Sequence, residues 1–143
     1  MIVLDTTTLV YAVGTDHSLA EPSRRLIEAV GTGRISATTT VEAIQEFAHV
    51  RARRRDRRDA ARLAQSYATL LAPLLVVGES ELAQGLELFK GHPRLGAFDA
   101  VLSATALSRG ADALVSADWA FADVAGLPFV GLPSPELEAV LEE

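Results

Sequence analysis

Cysteine is absent from the 143 residues, which excludes disulfide frameworks and thiolate metal sites and fits a reducing cytoplasm. Histidine is scarce. His17, His49 and His92 lie in separate segments, so a histidine-built metal centre has no support. No apolar run approaches the roughly 20 residues of a membrane span. The opening MIVLD lacks the charged start and longer apolar stretch of a secretory signal, so no leader and a cytoplasmic location are expected. An excess of positive charge is missing as well. Lys and Arg total 13 against 19 Asp and Glu, a net charge of −6, which excludes a global basic field for nucleic acid.

What is present is an ordinary globular balance, 49% apolar and 22% charged, in a length that suits one domain over residues 1–143. The basic residues are concentrated. Arg51, Arg53, Arg54, Arg55, Arg57, Arg58 and Arg62 fall within one short window. Such a run is a solvated helical corner, with Asp56 and Asp59 interleaved, or a local anion-binding face, or the docking place of an acidic partner segment. On the second reading Arg53, Arg54 and Arg55 are candidate contacts for an anionic partner.

Short apolar runs at 2–4, 34–38, 74–77, 113–116 and 128–131 read as strands. Between them, helices are expected over 18–30, from 40 to about 55, from Asp56 to about Leu71, and over 80–90, 96–109, 119–124 and 135–141. Asp56 suits an N-cap and Gly110 a C′ position. The strands are continuously apolar and alternate with helices. An α/β fold follows, with a central parallel sheet of four to five short strands and helices on both faces. Ligands of such sheets bind beyond the carboxyl ends of the strands.

Three segments place carboxylates at that edge. MIVLDTTTL ends its strand on Asp5. FDAVLSATALSRGADALVSADWAF puts Asp99 in the first turn of a helix and Asp118 after the next strand. TTTVEAIQEF carries Glu42 and Glu46 one turn apart. Taken singly, each acid has a plainer role: Asp5 in a turn, Asp99 at a helix dipole, Asp118 as an N-cap, the glutamates in solvent. Taken together they repel unless a cation neutralises them, and a hard oxygen-seeking ion such as Mg²⁺ suits the set. Thr6 and Thr7 are placed to orient Asp5 by hydrogen bonding. Trp119 and Phe121 read as packing residues, with base stacking as the alternative.

The segments MIVLDTTTL and FDAVLSATALSRGADALVSADWAF resemble the motifs of PIN-domain ribonucleases, specifically the VapC toxins of type II toxin–antitoxin pairs. The resemblance covers nearly the whole chain. It implies a single PIN-like domain acting as an endoribonuclease that depends on Mg²⁺ or Mn²⁺. It implies Asp5 and Asp99 as main metal ligands, Asp118 as a further ligand directly or through water, and Thr7 as the hydroxyl residue that follows the first acid. The second-motif acid is Glu46 if the apolar residue after it is the guide, and Glu42 if the count runs from the second strand; Glu46 is preferred. The resemblance also implies an RNA substrate, a VapB-like antitoxin, a homodimer and a toxin–antitoxin hetero-oligomer. Leu9, Val10 and Tyr11, with the helices before and after the arginines, are candidates for a groove that seats an antitoxin helix, and core packing is the expected role of each.

Three other classes compete. An Asp-x-Asp phosphatase wants a second acid where Thr7 stands. A receiver-like Mg²⁺-binding interaction domain wants a partner lysine, and the only lysine, Lys90, falls in a helix. A catalytically inactive PIN-fold module would not need every acid retained.

Overall fold

A computed structural model of the chain describes residues 1–15 and 17–143. Its strands are β1 (Ile2–Leu4), β2 (Ala37–Thr38), β3 (Ala113–Ser116) and β4 (Phe129–Gly131). They form one sheet in the order β2-β1-β3-β4, every pair parallel. The helices are α1 (Thr6–Ala12), α2 (Ala20–Gly31), α3 (Val41–Ala52), α4 (Arg57–Leu70), α5 (Glu79–Gly91), α6 (Ala97–Ser108) and α7 (Pro135–Glu142). A short 3-10 helix spans Trp119–Asp123.

The sheet is apolar on both faces because alternate residues of its central strands enter different cores. Ile2, Leu4, Ala113 and Val115 pack with Leu9, Leu26, Phe47, Tyr67 and Leu137. Val3 and Leu114 turn the other way, onto Leu102, Ala106 and Phe121. A period of two in a strand buried on both sides therefore reads in sequence as one unbroken apolar run.

Local signals explain most boundaries. Thr40 caps α3 by accepting the Ala43 N–H, Asp56 caps α4 through Asp59 N–H at 2.7 Å, and Ser134 caps α7 through Leu137 N–H. Gly110 ends α6 at φ +62°, a conformation that favours glycine. At the crossing of α5 and α6, Gly85 lets the backbones touch. A Cβ there would come within 2.6 Å of Val101 Cα.

Three expectations fail. Residues 74–77 form no strand. Leu75 makes one isolated parallel bridge with Thr40, and Val76 is 66% exposed. Leu75 enters one core and Leu74 packs against the other, but Pro73 supplies no N–H at the start of this segment and the exposed Val76 denies the run the two buried faces of a central strand. The sheet thus has four strands. The expected strand at 34–38 shortens to two residues, because the N–H groups of Arg34 and Ile35 turn back to Ala29 O and finish the exit from α2. Finally, α1 was not foreseen. Three successive threonines make a poor helix start by propensity, yet Leu9 is fully buried and anchors the helix on the sheet.

Candidate active site

β1 connects leftward to β2, and the chain then returns across the sheet to β3. The switch in direction falls between β1 and β3, where a parallel sheet opens a crevice at its carboxyl edge. The register pairs Leu4 with Val115, so the residues that leave the two strands side by side are Asp5 and Ser116.

Asp5 is 2% exposed. It occupies the N-cap position of α1, but its side chain caps no backbone amide. Its carboxylate instead accepts two hydroxyls at one oxygen, Ser116 Oγ at 2.6 Å and Thr7 Oγ1 at 2.9 Å. Both donors are themselves held in place. Thr7 Oγ1 accepts the Ala117 N–H at 3.1 Å, and Ser116 Oγ accepts the Asp118 N–H at 2.9 Å. Burial raises the Asp5 pKa, while the two hydroxyls and the nearby amides of Thr6 and Thr7 pull it down.

The other acids arrive from separate elements. Glu46 projects from the middle of α3, where Thr6 Oγ1 donates to its Oε2 at 2.9 Å. Asp99 sits in the first turn of α6. Asp118 follows β3 and uses Oδ1 to accept the Ala120 N–H at 2.9 Å, capping the 3-10 helix. Its plainer role is real, but it occupies only one oxygen. Asp5, Glu46, Asp99 and Asp118 line one cavity of about 220 Å³, together with Thr6, Thr7 and Arg54.

The electrostatics register this convergence. The pKa of Asp99 is pushed up to about 7, first by burial and then by the negative charges of Asp5, Asp118 and Glu46. Among the described residues, no three Asp, Glu or His side chains stand close enough together to hold a metal ion as they are placed. The donor chemistry nonetheless fits Mg²⁺ or Mn²⁺, since the set is all carboxylate and hydroxyl oxygen. The raised Asp99 marks the like-charge repulsion that such a cation offsets.

Glu42 is not among the residues lining this cavity. Its Oε2 is buried without a hydrogen-bond partner, one turn before Glu46. The apolar face of α3 centres on Ala43 and Phe47.

Of the three candidate arginines, Arg54 reaches the acidic cavity, Arg54 and Arg55 line an adjoining cleft, and Arg53 closes α3 and lines neither. Arg51 and Arg62 are paired with Asp59, at 2.9 and 3.2 Å. Phe121 is fully buried and serves packing. Trp119 is 51% exposed and meets Phe129 edge to face at 5.2 Å. Leu9 is in the core, the role expected of it over a place in a groove.

Two contributors escaped the sequence reading. Ser116 looks like the last residue of a strand, and only the β1–β3 register shows that it faces Asp5. Thr6 was read as a partner for Asp5; its hydroxyl goes to Glu46 instead.

A family model described as "PIN domain" matches residues 2–127. The chain is 53% identical over 134 residues to Ribonuclease VapC7 of Mycobacterium tuberculosis, covering 91% of this chain and 90% of that protein. Its fold matches the crystal structure of M. tuberculosis VapC20, described as a Sarcin-Ricin loop cleaving toxin. The TM-score is 0.74 at 18% identity, over 89% of this chain and 96% of that one. VapBC2 from Rickettsia felis, solved with a DNA fragment from its promoter, matches with TM-score 0.71 at 15% identity, over 92% and 98% of the two chains. At such identities these two likenesses concern the fold.

Proposed function

The chain belongs to the PIN-domain family, and from that membership we propose that it is an endoribonuclease, the toxin of a toxin–antitoxin pair. The observation that carries the reading is the meeting of Asp5, Glu46, Asp99 and Asp118, from four separate segments, in one cavity at the switch point of the sheet. The 53% identity to a ribonuclease over most of both chains supports the reaction class.

Asp5, Asp99 and Asp118 are the oxygen donors that would hold Mg²⁺ or Mn²⁺; when bound, the cation would supply charge neutralisation at a phosphodiester and a more acidic water. The remaining chemistry belongs to the chain. Ser116 and Thr7 orient the deeply buried Asp5 and, by donating two hydrogen bonds to one oxygen, offset part of the cost of burying its charge. Thr6 fixes one oxygen of Glu46 and leaves the other free to orient or accept a proton from an attacking water. The Ala120 N–H fixes Oδ1 of Asp118. Four acids around one cavity repel a bare polyanion, so Arg54 at the rim, with Arg53 and Arg55 beside it, is assigned to RNA phosphates.

The partner we assign is a VapB-like antitoxin. A mostly apolar groove of about 510 Å³ between the end of α1, α2 and α4, lined by Val13, Ile27, Leu63 and Leu70, suits an amphipathic helix. A homodimer that combines with the antitoxin in a cytoplasmic hetero-oligomer completes the proposal. No described helix is long and apolar enough to cross a membrane.

The test is expression of the chain without a partner. Growth arrest with RNA cleavage that Asp5→Asn and Asp99→Asn each abolish, while both variants remain folded, is expected. Full toxicity of either variant would contradict the assigned site.

A further inference from the structure

The acidic cavity has a neighbour of opposite character. A wider cleft of about 690 Å³ adjoins it, and the two share Val10, Tyr11 and Arg54. The cleft is lined by Arg51, Arg54 and Arg55 on one side and by Tyr11, Thr15 and His17 on the other. Arg54 stands on the boundary between the carboxylates and the arginines.

The far wall carries two aromatic rings. The Tyr11 and His17 rings lie 4.5 Å apart between centroids, tilted by 33°. His17 Nδ1 accepts the Leu19 N–H at 3.1 Å, so the neutral ring carries its proton on Nε2. Arg24 of α2 holds the backbone just after Tyr11, its Nε donating to Ala12 O at 3.2 Å and its Nη2 to Gly14 O. On the basic wall, Arg51 is held by Asp59. Arg54 and Arg55 are exposed, and among the described residues neither pairs with a carboxylate.

We propose that this cleft is the subsite for the nucleotide adjoining the cleaved phosphodiester, with Arg54 and Arg55 on its phosphate and the Tyr11–His17 pair stacked on its base. The inference rests on the ribonuclease reading and adds where the strand runs. A cavity of about 220 Å³ walled by four acids takes the reacting phosphate but offers no seat for a base. The adjoining cleft is of ligand size, carries the counter-charge that a polyanion needs beside an acidic centre, and is lined by two aromatic rings, the groups on which bases stack. Stacking accepts every base, so this subsite holds the strand without choosing its sequence.

The experiment is equilibrium binding of a labelled 2′-O-methyl oligoribonucleotide, which resists cleavage, to the full chain with Mg²⁺ from about 50 to about 200 mM salt. Tyr11→Ala is expected to weaken binding roughly 5- to 100-fold with the salt slope unchanged. Tyr11→Phe is expected to retain binding. Arg54→Ala with Arg55→Ala is expected to flatten the slope by roughly 0.7 per lost phosphate contact. Arg58→Ala, in the same run but on another cavity, is the control expected to change neither. Thermal melts confirm that each variant folds. Wild-type binding that is indifferent to Tyr11→Ala, with Arg54 and Arg55 mattering no more than Arg58, overturns the subsite and leaves the nuclease reading standing. Variants that lose a co-purifying protein and keep full RNA binding mark the cleft as a protein contact and also overturn it. A wild-type chain that neither binds nor cleaves RNA overturns both readings.

Discussion

Ser116 Oγ donates to Asp5 Oδ2 across 2.6 Å and so joins the ends of the two central strands at a buried carboxylate. The same oxygen accepts the Asp118 N–H, so one serine hydroxyl couples the first acid to the backbone that carries the last. Ser116→Ala is expected to destabilise the fold by about 1–3 kcal/mol, because it leaves a buried acceptor and a donor short of a partner. It should also raise the Asp5 pKa further and weaken Mn²⁺ binding near neutral pH. Denaturant melts and calorimetric titration check both effects. Wild-type values in each would show that Ser116 is a bystander.

The two glutamates of α3 are expected to separate cleanly. Glu46→Gln removes a charge that lines the cavity and is oriented by Thr6. A loss of cleavage of about 100-fold or more is expected, in the range of a positioned proton-transfer group. Glu42→Gln is expected to leave activity within about 2-fold and to hold or improve stability, since it removes a charge whose Oε2 is buried without a partner. Parallel rate measurements on the two proteins decide between them. A larger loss for Glu42→Gln would move the second-motif acid one turn back.

The pH dependence of the metal-free protein follows from Asp99. Its pKa in the fold, about 7, lies above its ordinary value of 3.8, through burial and the charges of Asp5, Asp118 and Glu46. The folded state therefore holds more protons than the unfolded state between those values. The stability this group contributes is fully present below about pH 4 and is lost as pH rises through 7. After allowance for solvent screening the change is on the order of 2 kcal/mol. Melts in EDTA across this range should show the decline, Asp99→Asn should flatten it, and Mg²⁺ should offset it at pH 8. A slope unaffected by Asp99→Asn would contradict the assignment.

Gly85→Ala tests the frame of the site without touching it. The new Cβ would press into Val101 of α6, the helix that carries Asp99. A loss of about 1–3 kcal/mol is expected, with cleavage per folded molecule nearly unchanged. An unchanged melt would mean that α5 and α6 shift apart freely.

The parts of this account that sequence revealed share one property: they are written in a short contiguous span. A strand buried on both faces reads as an apolar run, Asp56 announces the cap of α4, Gly110 announces the end of α6, and the two segments bearing Asp5, Asp99 and Asp118 carry their spacing with them. What sequence hid depends on distant partners. Thr6–Ala12 has poor helix propensity and becomes helical because Leu9 finds a core. Leu74–Val77 has a strand-like composition and buries Leu75, yet makes only a single bridge. Ser116 belongs to the site only through a register 111 residues long in the chain. The arginine run looks uniform in sequence. Tertiary placement alone divides it into Arg51 and Arg62, bound to Asp59, and Arg54, at the mouth of the acidic cavity.

The most direct test of the central claim is cleavage of a pooled tRNA and rRNA substrate by the purified chain, with Mg²⁺, with Mn²⁺ and with EDTA, beside Asp99→Asn prepared identically. Discrete cuts that require the metal and vanish in the variant are the expected result. Cleavage that persists in EDTA, or that Asp99→Asn retains in full, would contradict a site built on Asp5, Glu46, Asp99 and Asp118.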